Sequence, residues 1–153
     1  MERRDYDAII IGSGQGGMPL AFHLAANGKR VMLAEGQHVG GSCINFGCTP
    51  TKTMVASARI AYHCRRASDY GVQVSDPVVD MSVVRKRKDD VVESFRSSGR
   101  TAFENEENID LLDGHARFTG NHEVEVELAS GTTVAGRSDL IYIDTGTRPR
   151  VPD

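Results

Sequence analysis

The chain has 153 residues and a formal net charge of −3, from 18 Lys plus Arg against 21 Asp plus Glu, without the basic excess of a nucleic-acid binder; no nucleic-acid partner is expected. Leu, Ile, Val and Phe make up about 23% of it, above the roughly 20% below which chains tend to stay disordered, so a packed core is expected. The early apolar run 8–11 is far shorter than the ~20 residues that cross a bilayer, and residues 1–7 carry charges of both signs, unlike a secretory leader. Three cysteines are too few, and odd in number, for a disulfide scaffold. A reducing, cytoplasmic setting with no membrane partner is the expectation.

In chain order, residues 6–11 read as a short buried strand ended by Gly12. Over 18–26, Leu20, Ala21, Leu24 and Ala25 recur at helical spacing, and Asn27-Gly28 stops that helix. Residues 31–34 form a second buried strand closed by Glu35-Gly36. Strand, glycine turn, helix and strand make a βαβ unit, which implies a parallel sheet covered by helices. The stretch 39–49 has no periodicity. Pro50 opens a helix to about residue 67, with Met54, Ala58, Ala61 and Tyr62 on one face. A longer helix runs from Met81 to about Phe103, its buried stripe marked by Val84, Val91, Phe95 and Ala102 and joined by Val92 and Phe103. Residues 123–128 alternate Glu with Val or Leu, as a half-solvated antiparallel strand does, and the turn signals around them place it in a small hairpin or meander. Residues 140–143 form another short buried strand, and 148–153 read as the start of a linker.

The turn Gly12-Ser13-Gly14-Gln15-Gly16-Gly17 satisfies G-x-G-x-x-G at Gly12, Gly14 and Gly17. In that pattern the first glycine permits the tight turn, the second lets a pyrophosphate approach the backbone, and the third lets helix pack on strand. The helix N-terminus then offers unpaired N–H groups to the anion. Alone the pattern is weak, since glycine runs occur in ordinary loops. Here it stands between a strand and a helix, and Glu35 follows Gly17 near the roughly 20-residue offset of a ribose-binding carboxylate. The plainer alternative is a structural turn beside a surface Glu. The pattern does not separate NAD from FAD.

Cys43 and Cys48 stand five apart. In a regular helix that is a ~7.5 Å rise, beyond the roughly 7 Å Cα limit for a disulfide. A bond between them needs a distorted turn, which Gly47 and Pro50 permit. Cys48 falls just before a helix start with Lys52 one turn on, and both features favour a thiolate. Three readings stay open on spacing alone: a redox pair, two inert thiols, or half a zinc site with His38 or His63, although the histidines follow no usual metal spacing.

The segment G-G-S-C-I-N-F-G-C-T-P-T-K at residues 40–52, preceded by the glycine turn and Glu35, resembles the class I pyridine nucleotide-disulfide oxidoreductases. That family includes dihydrolipoamide dehydrogenase, glutathione reductase and mercuric reductase. The likeness continues through Gly114-His115-Ala116 and Thr145-Gly146-Thr147-Arg148-Pro149, and so covers nearly the whole chain. It implies an α/β, Rossmann-like FAD/NAD(P)-binding fold: a central parallel sheet with helices, a small β-meander, and extra helices carrying the cysteine pair. It implies FAD as cofactor, with Gly12, Ser13, Gly14, Gly17 and Glu35 at its ADP part and Gly41 and Ser42 on the pyrophosphate side. Cys48 would be the sulfur against the flavin, Cys43 the interchange thiol, and Lys52 would lie near the flavin. Gly114, His115, Ala116, Thr145 and Gly146 would complete the contacts.

On that resemblance, residues 1–147 are an incomplete FAD-binding domain and 148–153 lead toward an NAD(P)H domain, so the chain is an N-terminal fragment. The parent would pass electrons from NAD(P)H through FAD to Cys43–Cys48, and on to a small-molecule disulfide or a thiol-reducible metal ion. It would be a homodimer through a C-terminal domain, and the fragment alone would not turn over. The alternatives are an isolated FAD- or ADP-binding module and, less favoured, an NAD-dependent dehydrogenase with incidental cysteines. Ser42 replaces the family's usual Thr, and Asp144 replaces a small residue or Asn; the sequence offers no account of Asp144. The run Arg85-Lys86-Arg87-Lys88 reads as a solvated helix face, and Cys64 as a buried small residue.

Overall fold

The βαβ unit forms where the pattern places it: strand β2 (Ala8–Ile11), helix α1 (Gly17–Ala26) and strand β3 (Val31–Glu35). The computed structural model describes residues 3–148 and 150–152, and of the expected linker Pro149 and Asp153 lie outside them. The first strand is divided. A short β1 (Arg3–Asp5) precedes β2, because Tyr6 N–H donates to Arg137 O while Asp7 N–H donates to Arg30 O, so the chain changes partners between them.

Helices α2 (Gly41–Asn45), α3 (Cys48–Arg65) and α4 (Met81–Glu104) follow, with a 3₁₀ turn (Ala67–Tyr70) after α3. Strands β4 (Ile109–Gly120), β5 (Glu123–Leu128), β6 (Thr133–Arg137) and β7 (Ile141–Ile143) complete a seven-stranded sheet in the order β1-β6-β5-β4-β3-β2-β7. The pairs β7–β2, β2–β3, β3–β4 and β1–β6 are parallel, and β4–β5–β6 is an antiparallel meander. The expected α/β, Rossmann-like architecture is therefore present.

Period-two alternation along β2 and β3 feeds two cores on opposite faces of the sheet. Ile10, Val31 and Leu33 meet Ala21 and Ala25 of α1 and Phe103 of α4, and the Phe103 ring stacks on Phe22 at 4.7 Å. Ile9, Met32 and Ala34 meet Tyr6 and the two fully buried valines of β5, Val124 and Val126. The meander thus covers the face that the helices leave bare. Strand β4 serves both halves: residues 109–113 pair with β3, residues 114–120 with β5. The exchange falls at Gly114, where a Cβ would lie 2.2 Å from Glu127 O.

Several expectations change. The stretch 39–49 holds the short α2, and α3 starts at Cys48 rather than Pro50. On α3, Met54, Ala58 and Tyr62 are exposed while Thr53 and Ala61 are buried. That helix packs against α2 and α4 rather than the sheet, so only a narrow small-residue face is covered, and Arg87 clamps it by donating to Thr53 O at 3.0 Å. The long helix α4 begins as expected, its N-terminus capped by Asp80, which accepts from Ser82 N–H and Val83 N–H. Its buried residues are Val92, Gly99 and Phe103, with Val84 and Val91 half-buried, whereas Ala102 is exposed and Phe95 is 54% exposed. Cys64 is half-buried near the end of α3. Strand β7 is not buried: it ends the sheet, paired on one side to β2, and Ile143 is 65% exposed. Among the described residues no helix is long and apolar enough to cross a membrane.

Tyr6 links the meander side to β4, its hydroxyl donating to Asp110 Oδ2 at 2.7 Å. Burial first, then that hydrogen bond and the Asp110 charge, push its pKa up to about 12, with Arg4 opposing. The folded chain therefore holds this proton more tightly than the unfolded chain. The stability it contributes is complete below the ordinary tyrosine value of about 10 and is lost as pH rises through about 12. Urea melts across that alkaline window should show falling stability, and Tyr6→Phe should flatten the slope; an unchanged slope in Tyr6→Phe would rule out this assignment.

Candidate functional site

The carboxyl ends of β2, β3, β4 and β7 converge on one edge of the molecule, and the chain leaves β2 toward β3 on one side and meets β7 on the other. Such a switch point is where open α/β sheets place their ligand crevice. The glycine turn occupies it. Gly12 has φ +104°, and a Cβ there would lie 2.2 Å from Asp144 O. A Cβ on Gly17 would lie 2.1 Å from Gly12 O, so α1 sits directly on the turn. Ser13 is fully buried, and both its N–H (3.0 Å) and its Oγ (2.5 Å) donate to Glu35 Oε2 at the end of β3. Gln37 N–H donates to Glu35 Oε1. Among the described residues, nothing accepts from the N–H groups of Gly14, Gln15 or Gly16.

Two further segments close on this turn. A Cβ on Gly41 would lie 2.7 Å from Gly14 Cα, and Gly40 N–H donates to Ser13 Oγ at 3.1 Å, so the start of α2 is seated against the glycine turn. A groove of about 550 Å³ runs on past Glu35, Gly36 and Gln37 to Gly114 and His115 of β4, and a Cβ on Gly36 would touch the His115 ring. Its rim carries Asp113, whose carboxyl is held below the usual range by the two hydrogen bonds from Arg100. Ala116 does not line this groove; it packs against the core on the meander side. Thr145 follows the strand end beside Gly12, and Gly146 has φ +67°.

The cysteines meet because the helix breaks between them. Phe46 N–H and Gly47 N–H both fold back to Ser42 O, at 2.9 and 2.7 Å, and Gly47 leaves helical geometry at φ −116°, ψ −104° before α3 starts at Cys48. Both thiols are free, and the turn brings them close enough for Cys48 to act on Cys43. The hydrogen bond with Cys48, then burial, then the Cys48 charge push the Cys43 thiol up, while the Cys48 backbone and Lys52 pull the other way. Cys43 is half-buried, whereas Cys48, Lys52 and Ser42 are exposed. Removing the Cys48 sulfur lifts the largest cause, so Cys48→Ala should make Cys43 alkylate faster at neutral pH than in the wild type. A slower or equal rate would contradict the contact.

The partners of Asn45, Arg96 and Asp144 escape the sequence reading, which marks Asp144 only as a departure from the family pattern. Buried Asn45 donates to Val39 O (3.0 Å) and Gly41 O (2.8 Å) and accepts from Arg96 Nε at 2.8 Å, which ties α2 to α4. The N in C-I-N-F-G-C was visible, but its partner 51 residues away was not. Asp144 Oδ2 accepts from Gly17 N–H at 2.7 Å. The histidines of the zinc alternative lie against aromatic rings, His38 beside Phe46 and His63 beside Tyr62. Among the described residues, no three His, Cys, Asp or Glu side chains are grouped to hold a metal ion.

A βαβ unit with a glycine turn at its switch point, and two cysteines on the segment that follows the contact with that turn, is the pattern of a class of redox proteins, and comparison with known proteins places the chain within it. Residues 6–153 match the profile of the pyridine nucleotide-disulphide oxidoreductases, and the chain belongs to that family. It is 35% identical to a dihydrolipoyl dehydrogenase of Chlorobaculum parvum over 147 residues, covering 95% of this chain and 31% of that protein. It is 33% identical to a mercuric reductase of Staphylococcus aureus, covering 97% and 26%. The Cu(II) complex of RclA, an HOCl-induced flavoprotein disulfide reductase of Escherichia coli, superposes with a TM-score of 0.82 at 34% identity, covering 97% of this chain and 30% of RclA. The chain thus spans about a third or less of the length of these relatives.

Proposed function

We propose that residues 1–147 are the N-terminal part of the FAD-binding domain of a flavoprotein disulfide reductase, and that 148–153 lead toward an NAD(P)H domain. The observation that carries this reading is the helix break at Gly47 between Cys43 and Cys48, which leaves the two thiols acting on one another, with Cys43 two residues beyond the glycine that rests on the glycine turn. The crevice fits FAD. Free N–H groups at Gly14, Gln15 and Gly16 suit a pyrophosphate. Glu35 suits a ribose diol, and the groove between Glu35–Gln37 and Gly114–His115 suits an adenine. Gly12, Ser13, Gly17, Gly41, Ser42, Ala116, Thr145 and Gly146 would form the remaining walls, Ala116 through its backbone. Bound FAD would supply a two-electron carrier between NAD(P)H and the dithiol.

The chain's own residues account for the substrate half of the reaction. Cys43, as thiolate, attacks one sulfur of a substrate disulfide, forming a mixed disulfide and releasing the first substrate thiol. Cys48 then attacks the Cys43 sulfur and releases the second, so two thiols become one disulfide and one disulfide becomes two thiols. The Cys48 sulfur holds the proton on Cys43, and the Lys52 charge works against it toward the thiolate. Two adjacent thiolates are also a soft donor pair for a metal ion. The names of two relatives, a mercuric reductase and a reductase in complex with Cu(II), support that substrate class beside small disulfides.

Turnover with NAD(P)H and a homodimeric assembly belong in this reading to the whole protein. The 153 residues alone would bind FAD or ADP without turnover. An absorbance spectrum of the purified chain, before and after mild dithiol reduction, tests the proposal. Flavin bands with a long-wavelength shoulder on reduction are expected. A flavin-free protein that takes up NAD instead would favour the dehydrogenase alternative.

A further inference from the structure

Asp144 has no sequence-level explanation, yet it sits at the centre of the crevice. It follows β7 directly, and its N–H donates to Ile11 O at 2.8 Å, extending the β2–β7 ladder past the last strand residue. That anchors its backbone against Gly12. Its carboxylate spans to the start of α1, where Oδ2 accepts from Gly17 N–H at 2.7 Å across 127 residues of sequence. Cβ atoms on Gly14, Gly16 and Gly17 would lie 2.8, 3.4 and 3.2 Å from this carboxylate. Apart from Met18 N–H, which donates to Gly14 O at 3.0 Å, helix α1 has no cap of its own: Gly16 at the N-cap carries no side chain, and the first turn holds no acidic residue. Among the described residues, no Lys, Arg or His pairs with Asp144.

We propose that Asp144 is an internal counter-anion of the glycine turn. It caps α1 from a distant strand while no nucleotide is bound, and its negative charge lowers the affinity of the same helix end for a pyrophosphate. The physical basis is one of shared field. A helix N-terminus carries roughly half a positive charge and stabilises a nearby anion. Here part of that field is already satisfied by a fixed, unpaired carboxylate, and an incoming pyrophosphate meets like charge beside the N–H groups it needs. The coupling is reciprocal: whatever the carboxylate costs the ligand, the ligand costs the cap. Asn at this position keeps an acceptor for Gly17 N–H and removes the charge, whereas Ala removes both. The proposal rests on the nucleotide reading of the crevice, and its test separates the two.

Melting temperatures of the nucleotide-free chain, and calorimetric affinities for FAD, ADP and adenosine, are compared for the wild type, Asp144→Asn and Asp144→Ala. Asp144→Asn should melt near the wild type and Asp144→Ala several degrees lower. Asp144→Asn should bind ADP and FAD about three- to tenfold more tightly, with adenosine, which has no phosphate, unchanged. The gain should shrink as salt is added. If the wild type binds ADP and Asp144→Asn shows no gain, or gains equally for adenosine, this proposal falls and the nucleotide reading stands. If the wild type binds none of the three ligands, the proposal requires that Asp144→Asn bind ADP, and its failure to do so overturns it. ADP bound while FAD is bound by no variant would overturn the cofactor reading alone.

Discussion

Replacing Gly17 with alanine is expected to destabilise the chain by about 3 kcal/mol and to abolish nucleotide binding. The added methyl would lie 2.1 Å from Gly12 O, 3.1 Å from Ile10 Cγ2 and 3.2 Å from Asp144 Oδ2. The carbonyl cannot step aside, because Gly12 is held by its N–H bond to Ala34 O at 2.8 Å and by Asp144 O against its open face. Helix α1 must therefore lift off β2, loosening Ala21 and Ala25 from a core in which they are buried. Against a total stability of roughly 5–15 kcal/mol, that loss is large. Gly28 is the control. It has φ +71° but nothing within 4 Å of a Cβ, so Gly28→Ala should cost only the left-handed backbone penalty of about 1–2 kcal/mol. Urea unfolding of the two variants decides the matter: a Gly17→Ala loss no larger than that of Gly28→Ala would refute the close packing.

Mild oxidation is expected to remove two of the three thiols of the reduced chain, and either Cys43→Ser or Cys48→Ser is expected to leave both remaining thiols intact. In a continuous helix the pair would be separated by a ~7.5 Å rise. The helix breaks at Gly47, whose N–H reaches back five residues to Ser42 O and whose backbone leaves helical geometry, so that separation does not apply. Cys64 offers no substitute partner, since it lies sixteen residues beyond Cys48 on the same helix, about 24 Å along its axis. In the whole protein, the same two substitutions should eliminate turnover of disulfide substrates, since one thiol can form the mixed disulfide but nothing resolves it. Thiol alkylation followed by peptide mass mapping reads the result directly. A wild type that keeps all three thiols under oxidant would remove the redox role from the pair.

The features legible from the sequence are those whose physics is local. Gly12, Gly14 and Gly17 with the strand–helix–strand pattern around them define the βαβ unit within thirty-odd residues, because turn geometry and apolar period are short-range properties. The cysteine pair and Lys52 were legible for the same reason, as was the alternation that buries Val124 and Val126. The start of α3 at Cys48 was misplaced because Pro at the third helical position loses no hydrogen bond, just as at the first.

What only the tertiary structure decided involves partners far apart in the chain. Strand β4 changes from parallel to antiparallel pairing at Gly114, which nothing in its own residues announces. Strand β7 reads as buried from composition and is exposed because it falls at the sheet edge. Asn45 meets Arg96 across 51 residues, Tyr6 meets Asp110 across 104, and Asp144 meets Gly17 across 127. Hydrogen bonds and charges act over a few ångströms of space and are blind to distance along the chain. The sequence by itself therefore determined the glycine turn and the cysteine pair, while the folding of distant strands onto that turn decided which carboxylate caps it and what holds the cysteine segment in place.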